Sequence, residues 1–249
     1  MRFDAVVFDL YGTLIDIQTD ERRGSLWARL ARFLRYQGLA AEPAPLREAF
    51  FAAMRRSQAA SPQAYPEVDI PAILGAQMRE LGYAGGDEFV VRVAQLFRSL
   101  SVRRFGLFPD ALGCLAALRG RAALGLVSDA QRAFLEPELA MLGLAPHFGA
   151  LVVSSDHGYR KPDPRLFASA LGQLGVAPEQ AVYVGDNPLR DVGGARMAGM
   201  AAVLLRRPGA LVAELGEHAP DLTIGSLDEL LRWLGSGADG HHGGTEARS

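Results

Sequence analysis

The polar residues with chemistry to offer fall just beyond apolar runs. Asp9 and Thr13 follow AVVF (5–8), and Ser128 and Asp129 follow AALGLV (122–127). Lys161 follows ALVVSS (150–155) by a short loop, and Asp186 and Asp191 follow AVYVG (181–185). Asp9, Asp186 and Asp191 in one crevice would gather up to three negative charges, which costs free energy unless a cation or proton compensates them. Carboxylate oxygens favour a hard ion, and magnesium suits one or two carboxylates completed by waters and a phosphate oxygen. Hydroxyls from Thr13 and Ser128 and the ammonium of Lys161 would hold the remaining phosphate oxygens as charge builds on the transferring group. Such a set can perform phosphoryl transfer to an aspartate. Each residue alone has a plainer use. Ser128, Asp129 and Asp186 are good helix N-caps, and a single lysine is usually solvated. Asp9, just before Tyr11 and Gly12, has little capping work to do. Lys161 is the only lysine among 26 basic residues, and a bias toward arginine does not explain the exception.

The apolar runs are what must position these groups. AVVF, AALGLV, ALVVSS, AVYVG and AAVLL (201–205) have the length and β-branched content of buried strands, and DLTIG (221–225) is a weaker candidate. Helical patterns separate them, which predicts an α/β fold: a Rossmann-like parallel sheet with helices on both faces. In such a sheet ligands bind outside the carboxyl ends of the strands, so the groups named above can meet. Between the first strand and Ala122 lie more than a hundred residues that read almost entirely as helix, far more than one crossover needs. The reading is therefore a core starting at 1–15, an inserted all-helical domain at 16–105, the rest of the core at 106–234, and a disordered glycine-rich tail at 235–249. Within the insert, stripes such as Leu26, Leu30, Phe33 and Leu34, or Phe89, Val93, Leu96, Phe97 and Leu100, read as packing faces, with Gln77 interrupting one of them. Asp110, behind Pro109, is placed to cap the helix that reopens the core.

Composition excludes several partners. With 249 residues, 49% hydrophobic content and net charge −2, the chain has an ordinary core and no basic field of the kind nucleic acid or a membrane surface would draw on. Cys114 lies in an Ala/Leu-rich pattern and reads as a small core residue. No leader-like start and no long apolar span is seen, so a soluble cytoplasmic protein is expected. His241 and His242 fall in the tail, and His147 and His157 flank a strand. No metal role is expected of the tail pair, and packing or loop roles are expected for the other two.

Four segments carry a family resemblance. FDLYGTL (8–14), LVSDA (126–130), YRKPDPRLF (159–167) and VYVGDNPLRDVGGARMAGM (182–200) resemble, in order, the four motifs of the haloacid dehalogenase superfamily. The match is to the branch whose helical cap is inserted after the first motif, and it runs from about Met1 to about Leu234. The resemblance implies that Asp9 is the nucleophile and that Thr13 and Ser128, with Asp129 beside them, belong to the phosphate site. It implies that Lys161 steadies both nucleophile and phosphate, a task that the bulkier planar guanidinium of arginine does not take over. Asp186 resembles the ligand of Mg2+, helped by the Tyr11 main-chain carbonyl, with Asp191 as ligand or close neighbour. The implied activity is a Mg2+-dependent phosphatase acting on a small anionic phosphorylated metabolite through an aspartyl-phosphate.

Tyr11 departs from that pattern. Most phosphatases of this superfamily have an aspartate there as general acid and base, and losing one typically costs about 10²–10⁴-fold in rate. A tyrosine is what the name-giving 2-haloacid dehalogenases show, because a departing halide needs no proton. Those enzymes resembling this chain have Ser-Ser-Asn in the fourth motif and no metal, whereas Asp186, Asn187 and Pro188 stand here. They also place a tyrosine where this chain has Phe167. Cleavage of a carbon–phosphorus bond through a cap lysine imine is excluded because the cap has no lysine. The rivals are thus an L-2-haloacid dehalogenase and a binding or regulatory protein that keeps the fold with weakened turnover. Weak-base leaving groups such as acyl or aryl phosphates suit a phosphatase lacking the acid. Specificity is expected in the cap, where 13 arginines face 10 acidic residues over 16–108, with Arg22, Arg23 and Arg160 as candidates.

Overall fold

A run of four apolar residues without polar alternation suits a strand covered on both faces, and AVVF forms one: β1 (Ala5–Phe8) is wholly buried. The computed structural model describes residues 3–207 and 218–235. After β1 the chain passes into β2 (Ile15–Thr19) and then α1 (Gly24–Tyr36), α2 (Pro43–Ala60), α3 (Ile70–Glu80) and α4 (Asp87–Ser101). It returns along β3 (Val102–Leu107), antiparallel to β2. There follow α5 (Ala111–Leu118), β4 (Ala123–Ser128), α6 (Arg132–Met141), β5 (Ala150–Val153), α7 (Pro164–Leu174) and β6 (Ala181–Gly185). Last come α8 (Gly194–Met197), β7 (Ala201–Leu205), β8 (Leu222–Ile224) and α9 (Leu227–Gly235). One six-stranded sheet has the order β5-β4-β1-β6-β7-β8, with every pairing parallel. All the core runs expected to be strands are strands.

The period of two along β1 divides the core. Val6 and Phe8 face a cluster built with α5, α6 and α9, which includes Cys114, Leu115, Leu135, Leu139 and Leu230. Ala5 and Val7 face a second cluster with α7 and α8, which includes Leu166, Phe167, Tyr183 and Ala195. The helices α1 to α4 share a third, centred on Trp27, Phe50 and Phe97, whose ring centroids lie 5.0–5.5 Å apart. Phe134 of α6 also packs into this third cluster, tying it to the sheet-bearing part of the chain. Gln77, the polar break in one stripe, stays buried because its Nε2 donates to the Leu46 carbonyl at 3.1 Å.

Three expectations are corrected. The stretch between β1 and Ala122 is not all helix, since its two ends form the β2–β3 ribbon; Ile15, Ile17 and Phe105 give that ribbon one apolar side, with Gln18 and Arg104 outward. ALVVSS stops as a strand at Val153, where Ser154–Asp156 turn as 3₁₀ helix and Ser154 Oγ accepts from Ala130 N–H at 2.9 Å. Asp110 stands before α5 but does not cap it with its side chain. Its Oδ2 instead accepts from the Leu227 N–H that opens α9 (2.8 Å) and from Arg207 (2.7 Å), pairings 117 and 97 residues apart in sequence that no local pattern announces. Of the expected tail, Gly235 ends α9, and the other residues, His241 and His242 among them, lie outside the described residues.

Candidate active site

Strand order reverses on either side of β1, so the loops after β1, β4 and β6 open into one crevice. Asp9 leaves β1 there, its N–H still paired with the Val184 carbonyl at 2.9 Å. Lys161, on the loop before α7, is 3% exposed, and its Nζ donates to Asp9 Oδ1 and Asp191 Oδ1 at 2.6 Å each and to the Tyr183 hydroxyl at 3.1 Å. All three ammonium hydrogens are thereby taken. The Tyr183 hydroxyl hands its own proton to the Val127 carbonyl at 2.9 Å, which leaves its oxygen to accept. Tyr183 was not legible as a site residue, yet a phenol inside an otherwise apolar strand is a signal, because a buried hydroxyl needs a partner.

Asp191 belongs to a π-helical turn, Pro188–Gly193, that follows β6. Its Oδ2 accepts from Asn187 N–H at 2.8 Å while Oδ1 takes Lys161, so both oxygens already have partners. Asn187, not Asp186, caps the turn, its Oδ1 accepting from Leu189 and Arg190 N–H. Asp186 is therefore free of capping work and remains partly exposed at the crevice. It stands so close to the Tyr11-Gly12 loop that a Cβ on Gly12 would strike its carboxylate, and Gly12 also has φ +83°, which favours glycine. One oxygen each of Asp9, Asp186 and Asp191 lies within 4.8 Å of the others. Burial foremost, then Asp191 and Asp186 against the opposing Lys161, raises Asp9 to about 7. Burial and Asp191 raise Asp186 to about 6. For Lys161 burial favours the neutral amine, but Asp191 and Asp9 outweigh it and hold the ammonium well above its usual value.

Thr13 Oγ1 donates to Asp9 Oδ2 over a long 3.4 Å. Ser128 Oγ is fully buried with no hydrogen-bond partner among the described residues. Asp129 does not cap a helix either; its Oδ1 accepts from the Lys161 main-chain N–H at 2.8 Å, and its Oδ2 faces Arg190 at 3.6 Å. The helix after β4 starts only at Arg132, with Gln131 in the capping position. Thus neither Ser128 nor Asp129 nor Asp186 performs the plain capping role each could have had.

Tyr11 turns its side chain toward the helical insert. Its hydroxyl donates to Glu138 Oε2 at 2.6 Å, and Glu138 Oε1 accepts from Arg98 Nε at 2.7 Å. The Arg98 guanidinium also lies 5.2 Å from the Tyr11 ring centroid. Burial, then the Glu138 charge, pushes the Tyr11 hydroxyl far above its ordinary value. Glu138 was missed in the sequence although it shares the buried side of α6 with Phe134, Leu135 and Leu139, where a carboxylate needs a partner. Beyond Tyr11 a cleft of about 550 Å³ opens between α2, α3 and α4 and the loops after β4 and β5. Arg22 and Arg160 line it, as do Asp129 and Arg190. Arg23 does not; its guanidinium ties α1 to the Leu100 carbonyl at 2.6 Å. Neither His147 nor His157 lines it.

Over residues 3–199 the sequence matches the family described as haloacid dehalogenase-like hydrolase. A phosphoserine phosphatase of Thermus thermophilus is 46% identical over 129 residues, 51% of this chain and 51% of that protein. The chain spans about half the length of the curated relatives it matches. Among solved structures, a 2-haloacid dehalogenase from Pseudomonas syringae pv. tomato is similar at a TM-score of 0.67 and 27% identity, covering 95% of this chain and 100% of that one. A HAD phosphatase from Thermococcus onnurineus shares the fold at a TM-score of 0.59 and 24% identity, over 93% of this chain and 98% of that one.

Proposed function

The chain belongs to the haloacid dehalogenase-like hydrolase family, and from that membership we propose that it is a magnesium-dependent phosphatase of small phosphorylated compounds, working through an aspartyl-phosphate on Asp9. The observation that carries this reading is a charge imbalance: three clustered carboxylates meet a single ammonium. The donor set is all hard oxygen, which suits magnesium, and the values of Asp9 and Asp186 are raised chiefly by burial, with the neighbouring carboxylates adding to it. When bound by Asp9, Asp186 and the Tyr11 main-chain carbonyl, magnesium would neutralise charge on the phosphoryl group. Asp191, with both oxygens engaged, acts beside it by fixing Lys161. The relative named as a phosphoserine phosphatase supports a small phosphorylated substrate, and the composition supports a cytoplasmic setting without nucleic-acid or membrane partners.

The chain's own residues then divide the work. Asp9 Oδ2, held only by the long Thr13 contact, attacks phosphorus, an aspartyl O–P bond forms, and the bond to the leaving oxygen breaks with its electron pair. Ser128, whose buried hydroxyl has no internal partner, and Thr13 donate to phosphoryl oxygens, and Lys161 keeps Asp9 aligned. Asp129 holds the Lys161 backbone and does not itself bind phosphate, since its carboxylate would repel it. Water then hydrolyses the acyl phosphate and restores Asp9. Tyr11 supplies no proton because its hydroxyl is spent on a carboxylate, so leaving groups that are weak bases depart most readily.

Phosphate release with and without magnesium tests this, and Asp9→Asn should abolish it; release that is indifferent to either would overturn it. A dehalogenase reading is favoured by Tyr11 and by the likeness to the Pseudomonas enzyme. Halide release from 2-chloropropionate without added metal is the result that would establish it instead.

A further inference from the structure

We propose that the cleft selects phosphate esters of an aromatic ring, with Phe51, Met54 and Ile70 as the wall that recognises the ring; this rests on the phosphatase reading above. Phe51, Met54 and Ile70 line the cleft and are only partly buried, so they present apolar surface to whatever enters it. The buried rings of Phe50, Phe97 and Phe134 line the same cleft, and Phe50 packs edge-on to Phe51 with centroids 5.4 Å apart. Arg22, which also lines the cleft, lies 4.9 Å from the Phe51 ring centroid, within cation–π range. The volume, about 550 Å³, is within the usual range for a small-molecule site and exceeds what a bare phosphate needs.

The proton supply points the same way. Tyr11 donates to Glu138; of the three carboxylates that line the cleft, Glu21, Glu67 and Asp129, Glu67 accepts from the Ser154 hydroxyl at 2.6 Å and the Val68 N–H at 2.8 Å, and Asp129 accepts from the Lys161 N–H at 2.8 Å. Tyr11 is thus committed as a donor to a carboxylate, and Glu67 and Asp129 as acceptors. A phenoxide, about as basic as a tyrosine side chain (~10), leaves without an enzyme proton far better than an alkoxide does. An aryl phosphate therefore meets both features of the cleft at once: its ring matches the wall, and its leaving oxygen needs no acid. Acyl phosphates meet only the second, and aralkyl phosphates only the first.

The test compares 1-naphthyl, phenyl, benzyl and acetyl phosphates with the full chain and magnesium. Expected are a kcat/KM for 1-naphthyl phosphate at least about 10-fold above acetyl phosphate, from burial of the ring, and a kcat for phenyl at least about 100-fold above benzyl phosphate, from the missing acid. Phe51→Ala and Met54→Ala should each lower the naphthyl-to-acetyl ratio of kcat/KM several-fold. Calorimetry on the unmutated protein should show phenylphosphonate binding about 10-fold more tightly than methylphosphonate. Acetyl phosphate hydrolysed as well as 1-naphthyl phosphate, benzyl turned over as fast as phenyl, or equal phosphonate affinities would overturn the aromatic selection while leaving the phosphatase intact. No magnesium-dependent turnover of any of the four, acetyl phosphate included, would bring down both.

Discussion

Lys161 shows how much a single side chain can be asked to do. Its ammonium lies between Asp9 and Asp191 in a place almost closed to water, so removing it strands two carboxylates. Lys161→Met should cost about 3–5 kcal/mol in urea unfolding at neutral pH, and Lys161→Arg should not restore turnover, because the guanidinium fork does not fit where a compact ammonium meets three acceptors. The carboxylates make a matching forecast. Asp9 and Asp186 titrate near 7 and 6 in the folded protein, above their ordinary 3.8, so folding binds protons between those values. Their contribution to stability is complete at acid pH and is lost as pH rises through 6 to 7 in the absence of metal. Magnesium must displace the same protons, so its stabilising effect on Tm should be larger at pH 8 than at pH 5.5; an equal effect at both would count against these residues as ligands. Tyr11→Asp should raise the rate on alkyl phosphates. At this scale the charged residues were legible, because each lies at or soon after the end of an apolar run and Lys161 is alone of its kind. Tyr183, Glu138 and Arg98 were not singled out, since each stands inside a regular strand or helix pattern and meets its partners only across the fold.

Elements were legible where their periodicity is strong and blurred where it is short. The strands of the parallel sheet are continuous apolar runs, and β6 and β7 begin and end where their residues suggested. The β2–β3 ribbon escaped because IDIQT and VRRFGL are half polar and adjoin helices; only their mutual pairing makes them strands. Asp110 was assigned to the wrong helix for a related reason, its partners being Arg207 and the start of α9. Asp110→Ala should therefore loosen α9 more than α5, and protection of amide hydrogens in the two helices measures this directly. Between α4 and α6, Arg98 and Glu138 form an ion pair with side chains only 15% and 8% exposed. Glu138→Ala would leave both Arg98 and Tyr11 without their acceptor, with an expected loss of about 1–3 kcal/mol in chemical denaturation.

At the scale of the whole molecule, three hydrophobic clusters form the core among the described residues. Two lie on the faces of the sheet and one inside the helical insert, which Phe134 and the Arg98–Glu138 pair join to α6. The sequence reading anticipated the parallel sheet with its helices, because the alternation of elements is a global pattern. It did not anticipate how firmly the insert is held, which depends on contacts such as Tyr65 carbonyl to Arg160 N–H and Ile70 N–H to Gln131 Oε1. The burial of Lys161 carries one last consequence. The chain owns a single ε-amino group, and folding shuts it away, so an acylating reagent offered to the native protein should leave that position unmarked. Whatever condition pries the centre open would add one acyl mass to one peptide, and that mass becomes a molecular tally of opening events.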